Sequence, residues 1–452
     1  MNNRGKTIDM TNGPILKKVF VFFIPIMLTN WLSMFYNAAD KIIVGHFAGS
    51  AALAAVGAST SFTFFLTNLC GGISSGISVV ASNDFGSGNF QGLKRTVSTG
   101  MTFGVVSGFF LAAFGFFASG PVLRLLGTPG DVLSDGIAYL RIYFLSMPFF
   151  MIYSAGAALL RALGDSKRPL FFLLISGALN VVFNWIFVAV FSMSVLGVAL
   201  GTLISQFASA VFLLVYIGGK NAPIHFTFKD IGMDGKRLLK MLRIGIPTGI
   251  RGALFSISDM AIQSAVNTMG TAAVSGNSAA VSIDAFIFAS MGSVAQANMV
   301  FTGQNVGAGK LKRTKKVLFI CLGIVTAVGL VLGFSLYLLR RPLVELMITD
   351  SPKAVFYAID RLRILTTTAF VSGWLDVMTC FFSGFGITLL PTTITLVGVC
   401  GFRFLWVATY FKAHPSMFSL YLAYPISAII CFLGEIVLYF IILRKRIANS
   451  KE

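Results

Sequence analysis

Charged residues are scarce in this sequence. Asp, Glu, Lys and Arg make up 11% of its 452 residues, whereas soluble domains carry roughly 25%. A surface in contact with water cannot be covered by so few charges, so a soluble globular protein is excluded. Residues of the hydrophobic set make up 56% of the chain, which indicates an integral membrane protein.

Residues that support metal binding or nucleophilic catalysis are also few. The chain has three histidines, His46, His225 and His414, and their spacing matches no zinc or nucleophile motif. Its five cysteines are scattered through apolar segments with neither metal-ligand nor disulfide spacing. We therefore predict no metal site and no cofactor. An integral-membrane enzyme, for which we would expect His, Asp or Cys clustered near one interface, is the least favoured function that we consider.

Long apolar runs recur along nearly the whole chain, separated by short polar stretches. A helix that crosses a bilayer needs about 20 mostly apolar residues, and twelve runs reach that length. We predict an all-α integral membrane fold that leaves no room for a soluble catalytic domain. The predicted spans are residues 15–44, 53–80, 97–119, 137–160, 170–191, 195–217, 242–266, 278–302, 317–339, 362–385, 390–411 and 418–443.

The net charge of +19 would suit a nucleic-acid partner, but the basic residues follow the predicted membrane instead. The long loop at 218–243, and the segments on its side of the membrane, hold most of the Lys and Arg. Far fewer, among them Lys353 and Arg361, fall on the opposite side. Cytoplasmic loops carry this excess of positive charge. We therefore predict a multi-pass protein of the cell inner (plasma) membrane with both termini cytoplasmic, and no nucleic-acid partner.

The chain repeats itself at an offset of 221 to 222 residues. The turn at 85–89 recurs at 306–310, and Pro25 recurs as Pro247. Each half has six predicted spans, so both halves begin on the same side and are related by a pseudo-two-fold axis along the membrane normal. Transporters built in this way bind substrate between the halves and alternate access by rocking them. The predicted domains are an N lobe at 1–217, a cytoplasmic linker at 218–241 and a C lobe at 242–452.

Asp40 is an ionisable residue well inside the first apolar run. Such residues are costly in a bilayer and suggest function. Tyr36, Asn37 and Asp40 share one helical face, because residues three and four apart are neighbours. A carboxyl group binds or releases a proton as its surroundings change, which is what a proton-coupled transporter requires. The alternative is that Asp40 lies near the outer interface beside Lys41 and caps a helix.

An ordered set of motifs extends along essentially the full chain. It consists of Gly13-Pro14, Pro25, Asp40 followed by Val44-Gly45, the segments 51–57 and 85–89, Leu160 to Asp165 before Pro169, and Asn180 to Asn184. The set resembles the prokaryotic MATE (multidrug and toxic compound extrusion) family of the MOP superfamily. The resemblance implies a secondary active antiporter with two six-helix lobes, which exports amphipathic, cationic small molecules in exchange for H⁺ or Na⁺. Apart from membrane lipid we expect no further partner, and we expect a monomer.

The resemblance also implies residue roles. In the family, the acid on the first helix is the coupling site, assisted by polar residues on helices 5 and 6. These positions correspond here to Asn180, Asn184 and Thr202, although hydrogen bonding between helices would explain the same residues. Relatives often carry a second acid where this chain has Asn184. One carboxylate with neutral oxygens leaves proton and sodium coupling both open.

Ionisable residues also occur in or near the apolar spans of the second half. They are Arg251, Asp259, Asp284, Asp376, Arg403 and Glu435. Opposite charges at this depth are expected to pair, since isolated ones are penalised. Asp376 and Arg403 lie near the middle of consecutive spans, and we predict an ion pair between them. Asp376 also lies near the C-lobe cation-site acid of some family members, but the helix-7 glutamate of those members is replaced here by Phe255.

Aromatic and methionine side chains could line a substrate cavity, because aromatic faces and adaptable thioethers suit varied cationic ligands. The alternative is that these side chains face lipid or the protein core. The candidates are Met34, Phe35, Met147, Phe149, Phe150 and Tyr153.

A lipid-linked saccharide flippase of related architecture is the main alternative function. It requires a cationic cavity for diphosphate headgroups. Lys41, Arg251 and Arg403 would allow such a cavity. Their acidic neighbours in the sequence pattern, Asp40, Asp259 and Asp376, argue against it.

Overall fold

The computed structural model describes residues 7–125, 127–219, 222–349 and 351–444. In these ranges the chain forms helices and no β-strand. The predicted cytoplasmic termini, and Lys220 of the predicted linker, lie outside the described residues. We label the helices α1 (Ile15–Ala48), α2 (Gly49–Gly86), α3 (Phe90–Leu125), α4 (Gly130–Leu145), α5 (Met147–Ala162), α6 (Lys167–Val190), α7 (Ser194–Gly218), α8 (Gly235–Asn267), α9 (Thr271–Gly307), α10 (Leu311–Met347), α11 (Pro352–Gly384), α12 (Leu389–Phe411) and α13 (Met417–Leu443).

The helices account for the twelve predicted spans. Ten of them are long and apolar enough to cross a membrane. α4 and α5 form an eleventh span that is bent by 44° where Pro148 enters the first turn of α5, because proline cannot donate the backbone hydrogen bond that would continue α4. α8, with 33 residues, covers the remaining predicted span, but with Arg251 and Asp259 it is more polar than the helices that are apolar enough to cross a membrane. The predicted all-α membrane fold is confirmed.

The internal repeat is visible in the backbone. Gly88 and Gly309 lie in the turns after α2 and α9 with φ of 69° and 74°, a left-handed conformation that glycine adopts without steric cost. The ends of α6 (Ile186–Val190) and α12 (Val407–Phe411) are both π-helical. The two glycines, and likewise the two π-helical segments, are separated by 221 residues, which is the offset of the repeat in the sequence. The two halves therefore repeat in local geometry as well as in residue type.

The described chain divides into two compact units. Unit 1 comprises residues 7–9 and 28–245, and unit 2 comprises residues 10–27 and 246–444. The chain passes from one unit to the other inside α1, next to Pro25, and inside α8, next to Pro247. Proline interrupts helical hydrogen bonding at both places. The predicted lobe boundaries at 217 and 242 stay a prediction.

The linker is held against α3 in unit 1. The Asp234 backbone amide donates a hydrogen bond of 3.0 Å to Thr99 Oγ1. Lys94 forms an ion pair of 2.9 Å with Asp230. The hydrogen bond from this ammonium, together with those from Thr227, lowers the pKa of Asp230 to about 2. The linker is therefore anchored to unit 1 by specific contacts.

Residues 10–13 are held in a similar way at the turn between α9 and α10 in unit 2. Arg313 donates a hydrogen bond of 2.7 Å to the Gly13 carbonyl oxygen. Asn305 Nδ2 donates one of 3.1 Å to the Met10 carbonyl oxygen. This segment precedes α1 as the linker precedes α8. The entry segment of each repeat therefore packs in the unit that is built mainly from the other repeat.

Glycines allow the helices of unit 2 to approach closely. α9, α10 and α11 pack against one another. A Cβ added at Gly329 of α10 would come within 2.9 Å of the Phe370 Cα in α11, and one at Gly333 would collide with the Thr366 carbonyl oxygen. Small residues spaced by one helical turn permit such backbone contact in membranes. This packing fixes the position of α11, the helix that carries several of the ionisable residues described below.

Candidate functional site

The structure brings Asp40 of α1 into contact with Asn184 of α6. Asn184 Nδ2 donates a hydrogen bond of 2.5 Å to Asp40 Oδ1. Each residue lies just before a π-helical segment, Val44–Ala48 in α1 and Ile186–Val190 in α6, and these two segments contact each other. Because a π-helical turn contains an extra residue, it changes the direction in which neighbouring side chains point. Asp40 lies inside α1, and its carboxyl group joins this helix to α6.

Asn180 and α7 complete the surroundings of Asn184. Asn180 Oδ1 lies 3.4 Å from Asn184 Nδ2. Gly201 of α7 packs on the Asn184 side chain so closely that a Cβ there would collide with Asn184 Oδ1, and Thr202 is the next residue of α7. Asn184 Oδ1 is buried and accepts no hydrogen bond from the described residues. The neutral amide oxygen of Asn184 therefore lies close to the Asp40 carboxyl group.

The other two predicted residues of α1 lie differently. The Tyr36 hydroxyl donates a hydrogen bond of 3.2 Å to the Leu174 carbonyl oxygen of α6, and its ring packs where Gly177 has no side chain. The Asn37 side chain is exposed. The structure therefore brings Tyr36 and Asp40 to α6, whereas Asn37 is only on the same helix.

Sequence reasoning missed Tyr139 of α4. Its phenol is close enough to Asp40 for an electrostatic interaction, and its ring stacks on Tyr143 with centroids 6.1 Å apart. No local motif marks this tyrosine, because its relevance comes from the tertiary structure, which brings it near Asp40.

The arrangement around Asp40 suits the binding of a single small cation. A carboxylate whose nearest hydrogen-bonding partner is an amide can accept a proton without first breaking an ion pair. A sodium ion would instead use one Asp40 oxygen together with the amide oxygens of Asn180 and Asn184. In the part of the chain that the structure describes, no group of three His, Cys, Asp or Glu side chains could hold a metal ion.

In unit 2 the ionisable residues form pairs, but not the pair predicted from the sequence. Arg403 pairs with Asp259 of α8 at 3.1 Å, and Asp376 pairs with Arg251 of α8 at 3.4 Å. The predicted Asp376–Arg403 pair is wrong. Each residue turns towards α8 instead, where the two partners, Arg251 and Asp259, lie eight residues apart, and the π-helical segment Leu396–Gly401 precedes Arg403 in α12.

Asp284 of α9 forms the most deeply buried ion pair. Its partner is Arg361 of α11, with nitrogen and oxygen 3.0 Å apart and side chains only 4% and 7% exposed. Arg361 also donates a hydrogen bond of 2.9 Å to Asn277 Oδ1, which accepts a second one from the Tyr421 hydroxyl. From the sequence, Arg361 was placed only by its side of the membrane, and its position at the edge of an apolar run did not reveal this buried partner.

Tyr424 of α13 contacts both Arg361 and Arg403. Its hydroxyl donates a hydrogen bond of 3.0 Å to Asp259 Oδ1. The guanidinium of Arg403 lies 3.9 Å from its ring centroid and that of Arg361 5.7 Å from it, which are distances at which cations are attracted to aromatic faces. The Asp259 side chain is 57% exposed, so Asp259 is the acid through which this network contacts its surroundings.

The predicted cavity residues occupy different environments. Phe35 is exposed, whereas Met147 is fully buried and packs with Leu140 and Phe144. The Tyr153 hydroxyl donates a hydrogen bond of 2.8 Å to the Pro169 carbonyl oxygen. Met34, Phe149 and Phe150 are partly buried. A role of these side chains in substrate binding stays a prediction.

Comparison with known proteins places these features in a family. The MatE family model matches residues 25–186 and again residues 247–408, which confirms the internal repeat. The probable multidrug resistance protein YoeA of Bacillus subtilis is 29% identical over 395 residues, covering 86% of this chain and 85% of its own. The probable multidrug resistance protein YpnP of the same organism is 31% identical over 314 residues, covering 68% and 69%.

Solved structures show the same fold at low sequence identity. The crystal structure of MATE in complex with MaL6 matches with a TM-score of 0.90 and 20% identity, covering 98% of each chain. The outward-facing conformation of a multidrug resistance MATE family transporter of the MOP superfamily matches with a TM-score of 0.89, again at 20% identity and 98% coverage of each chain. With its twofold match to the family model, this chain belongs to the MATE family of membrane transporters.

Proposed function

We propose that this transporter is a secondary active multidrug exporter that releases amphipathic organic cations in exchange for protons. The observation that carries the proposal is the Asp40–Asn184 contact of 2.5 Å, in which an acid at intramembrane depth pairs with an amide and not with a base. Such an acid can gain and lose a proton during each cycle. The relatives YoeA and YpnP, named as probable multidrug resistance proteins, support the substrate class.

Protons are favoured over sodium as the coupling ion because the site has one carboxyl group. Asn180 and Asn184 supply neutral amide oxygens, which would leave a sodium ion with a single formal negative charge. A proton needs only the Asp40 oxygen. We further propose that the protein works as a monomer and by alternating access between its two lobes, as the internal repeat indicates.

The lipid-linked saccharide flippase receives less support. Its diphosphate substrate requires uncompensated positive charge. Arg251, Arg361 and Arg403 are each paired with an acid, so these three residues do not supply it.

A flux measurement in proteoliposomes tests the proposed function. The purified protein is reconstituted, and export of a fluorescent organic cation is followed under a proton gradient alone and then under a sodium gradient alone. We expect export under the proton gradient, and its loss when a protonophore is added. Vesicles without protein are the control. Export driven only by sodium would refute proton coupling, and no export of any organic cation under either gradient would refute the exporter function.

We also propose that both termini and the linker face the cytoplasm, since the linker carries many basic residues. A cysteine introduced at Lys229, in the exposed part of the linker, should not react with a membrane-impermeant thiol reagent added to intact cells. It should react after the cells are opened.

A matched control uses Lys353, an exposed residue in the first turn of α11, which the orientation places outside. Lys353→Cys should react in intact cells. Labelling of Lys229→Cys and not of Lys353→Cys in intact cells would show that the orientation is inverted. The unsubstituted protein, whose native cysteines are mostly buried, gives the background.

A further inference from the structure

Glu435 of α13 is a fully buried acid that the site around Asp40 does not use. The residue is 0% exposed. No Lys, Arg or His of the described chain lies within ion-pair distance of its carboxyl group. Its Oε2 atom is buried and has no hydrogen-bond partner among the described residues. An ionised carboxylate in this position would carry an uncompensated charge inside the membrane, which is strongly unfavourable.

The Thr379 hydroxyl is the hydrogen-bond partner of Glu435 Oε1. The Thr379 hydroxyl oxygen lies 2.9 Å from the Leu375 carbonyl oxygen and 2.6 Å from Glu435 Oε1. Both distances are those of hydrogen bonds between oxygens, but the hydroxyl has a single hydrogen to donate. The Leu375 carbonyl can only accept. A protonated carboxyl group satisfies both contacts at once, because it can donate to the hydroxyl oxygen while the hydroxyl donates to Leu375.

The charges around Glu435 come from two neighbouring helices. α8 contributes Arg251, and α11 contributes Asp376, one turn before Thr379. The nearby thiols are Cys380 of α11 and Cys431 of α13 itself, while Cys400 of α12 lies close to Cys431. Arg251 is already paired with Asp376 at 3.4 Å. With one base and two acids, the group has one excess negative charge unless one acid holds a proton.

Asp376 is the acid of this group that can exchange with its surroundings. Its side chain is 33% exposed, whereas Glu435 is 0% exposed. In the site proposed below, Asp376 is the acid that takes up a proton leaving Glu435. When Asp376 takes the proton, Arg251 is left to neutralise the Glu435 carboxylate, so the number of protons and the net charge of the group stay constant.

We propose that Glu435, with Asp376 and Arg251, forms a second proton-binding site of this transporter, in which Glu435 holds the proton and Asp376 exchanges it with water. Proton occupancy of Glu435 does not depend on which ion drives export. The use of that proton in transport does rest on the function proposed above. The site lies in unit 2 and is separate from Asp40, which belongs to unit 1.

Infrared spectroscopy of the purified, full-length protein at neutral pH tests this proposal. The carbonyl stretch of a protonated carboxylic acid is distinct from the stretches of a carboxylate and shifts when hydrogen is exchanged for deuterium. We expect this band in the unsubstituted protein and the loss of one component of it in Glu435→Gln, which keeps the size of the side chain. The matched control Asp40→Asn should keep the contribution of Glu435. An unsubstituted protein without the band, or a Glu435→Gln protein with an unchanged band, would overturn the proposal.

Asp376→Asn provides a second variant that distinguishes proton binding from a purely structural role. Without the Asp376 charge, Arg251 has only Glu435 to neutralise it, so Glu435 should release its proton and its band should change to that of a carboxylate. A buried acid with only a packing role would keep its band in this variant, and that result would also contradict the proposal. The measurement needs no transport, so a failure of proton-driven export leaves its outcome unaffected.

Discussion

Replacing Asp40 by Asn is expected to reduce gradient-driven export to the level of vesicles without protein. The Asn side chain has nearly the same shape, and its amide oxygen can still accept the hydrogen bond that Asn184 donates to Asp40 at 2.5 Å. It cannot bind or release a proton in this pH range. The variant should therefore fold, reach the membrane and retain binding of the organic cation, while it loses the coupling of transport to the proton gradient.

Two further variants make this measurement specific. Asp40→Glu keeps a titratable group displaced by one methylene, and we expect partial export by it. Glu345→Gln, at an exposed position of α10, removes one acid elsewhere and should leave export unchanged. Export by Asp40→Asn at the native rate and with the native pH dependence would remove Asp40 from the mechanism. The next candidates would then be Asp259, Asp284 and Asp376.

The largest loss of stability is expected from breaking the Asp284–Arg361 pair. Both side chains are almost completely buried, so removal of one leaves the other charge without compensation in a medium of low polarity. Loss of one partner of a buried pair typically costs about 3–5 kcal/mol. Arg361→Met should therefore lower the unfolding temperature of the purified protein strongly, or prevent its accumulation in the membrane.

The double variant and a surface pair serve as controls. Asp284→Asn combined with Arg361→Met removes both charges and should be more stable than Arg361→Met alone, although Asn277 still loses the hydrogen bond from the guanidinium. The exposed pair Arg341–Glu345 of α10, at 2.7 Å, is expected to contribute only about 0–1 kcal/mol, so Arg341→Gln should change stability little. Equal stability of Arg361→Met and the double variant would contradict an interaction between the two charges.

The positions of the membrane spans along the sequence were predicted more successfully than the directions in which their side chains point. The apolar runs located all twelve spans, and ionisable residues within those runs marked Asp40, Asp284 and Asp376 as unusual. Which residue each of them contacts depends on how every helix is rotated about its axis. Asp376 and Arg403 contact Arg251 and Asp259 of α8, and the predicted pair did not form.

Some residues of the site carried no signal in the sequence. Tyr139 approaches Asp40 from α4, and Gly201 provides the space that Asn184 occupies. Both are common residues in an ordinary helical context. Glu435 was recognised as an ionisable residue in an apolar span, but its shared hydroxyl partner Thr379 lies on another helix and could not be anticipated.

The sequence by itself determined the membrane environment, the apolar spans, the internal repeat and the presence of an acid in the first span. These properties follow from the composition and the periodicity of short segments, because the free-energy cost of placing a charge or an unpaired backbone group in a bilayer depends on the residues of each segment alone. The tertiary structure decided the partners of the charged residues. Those partners depend on helix rotation, on π-helical turns and on close approach at glycines, which are set by contacts between residues far apart in the sequence.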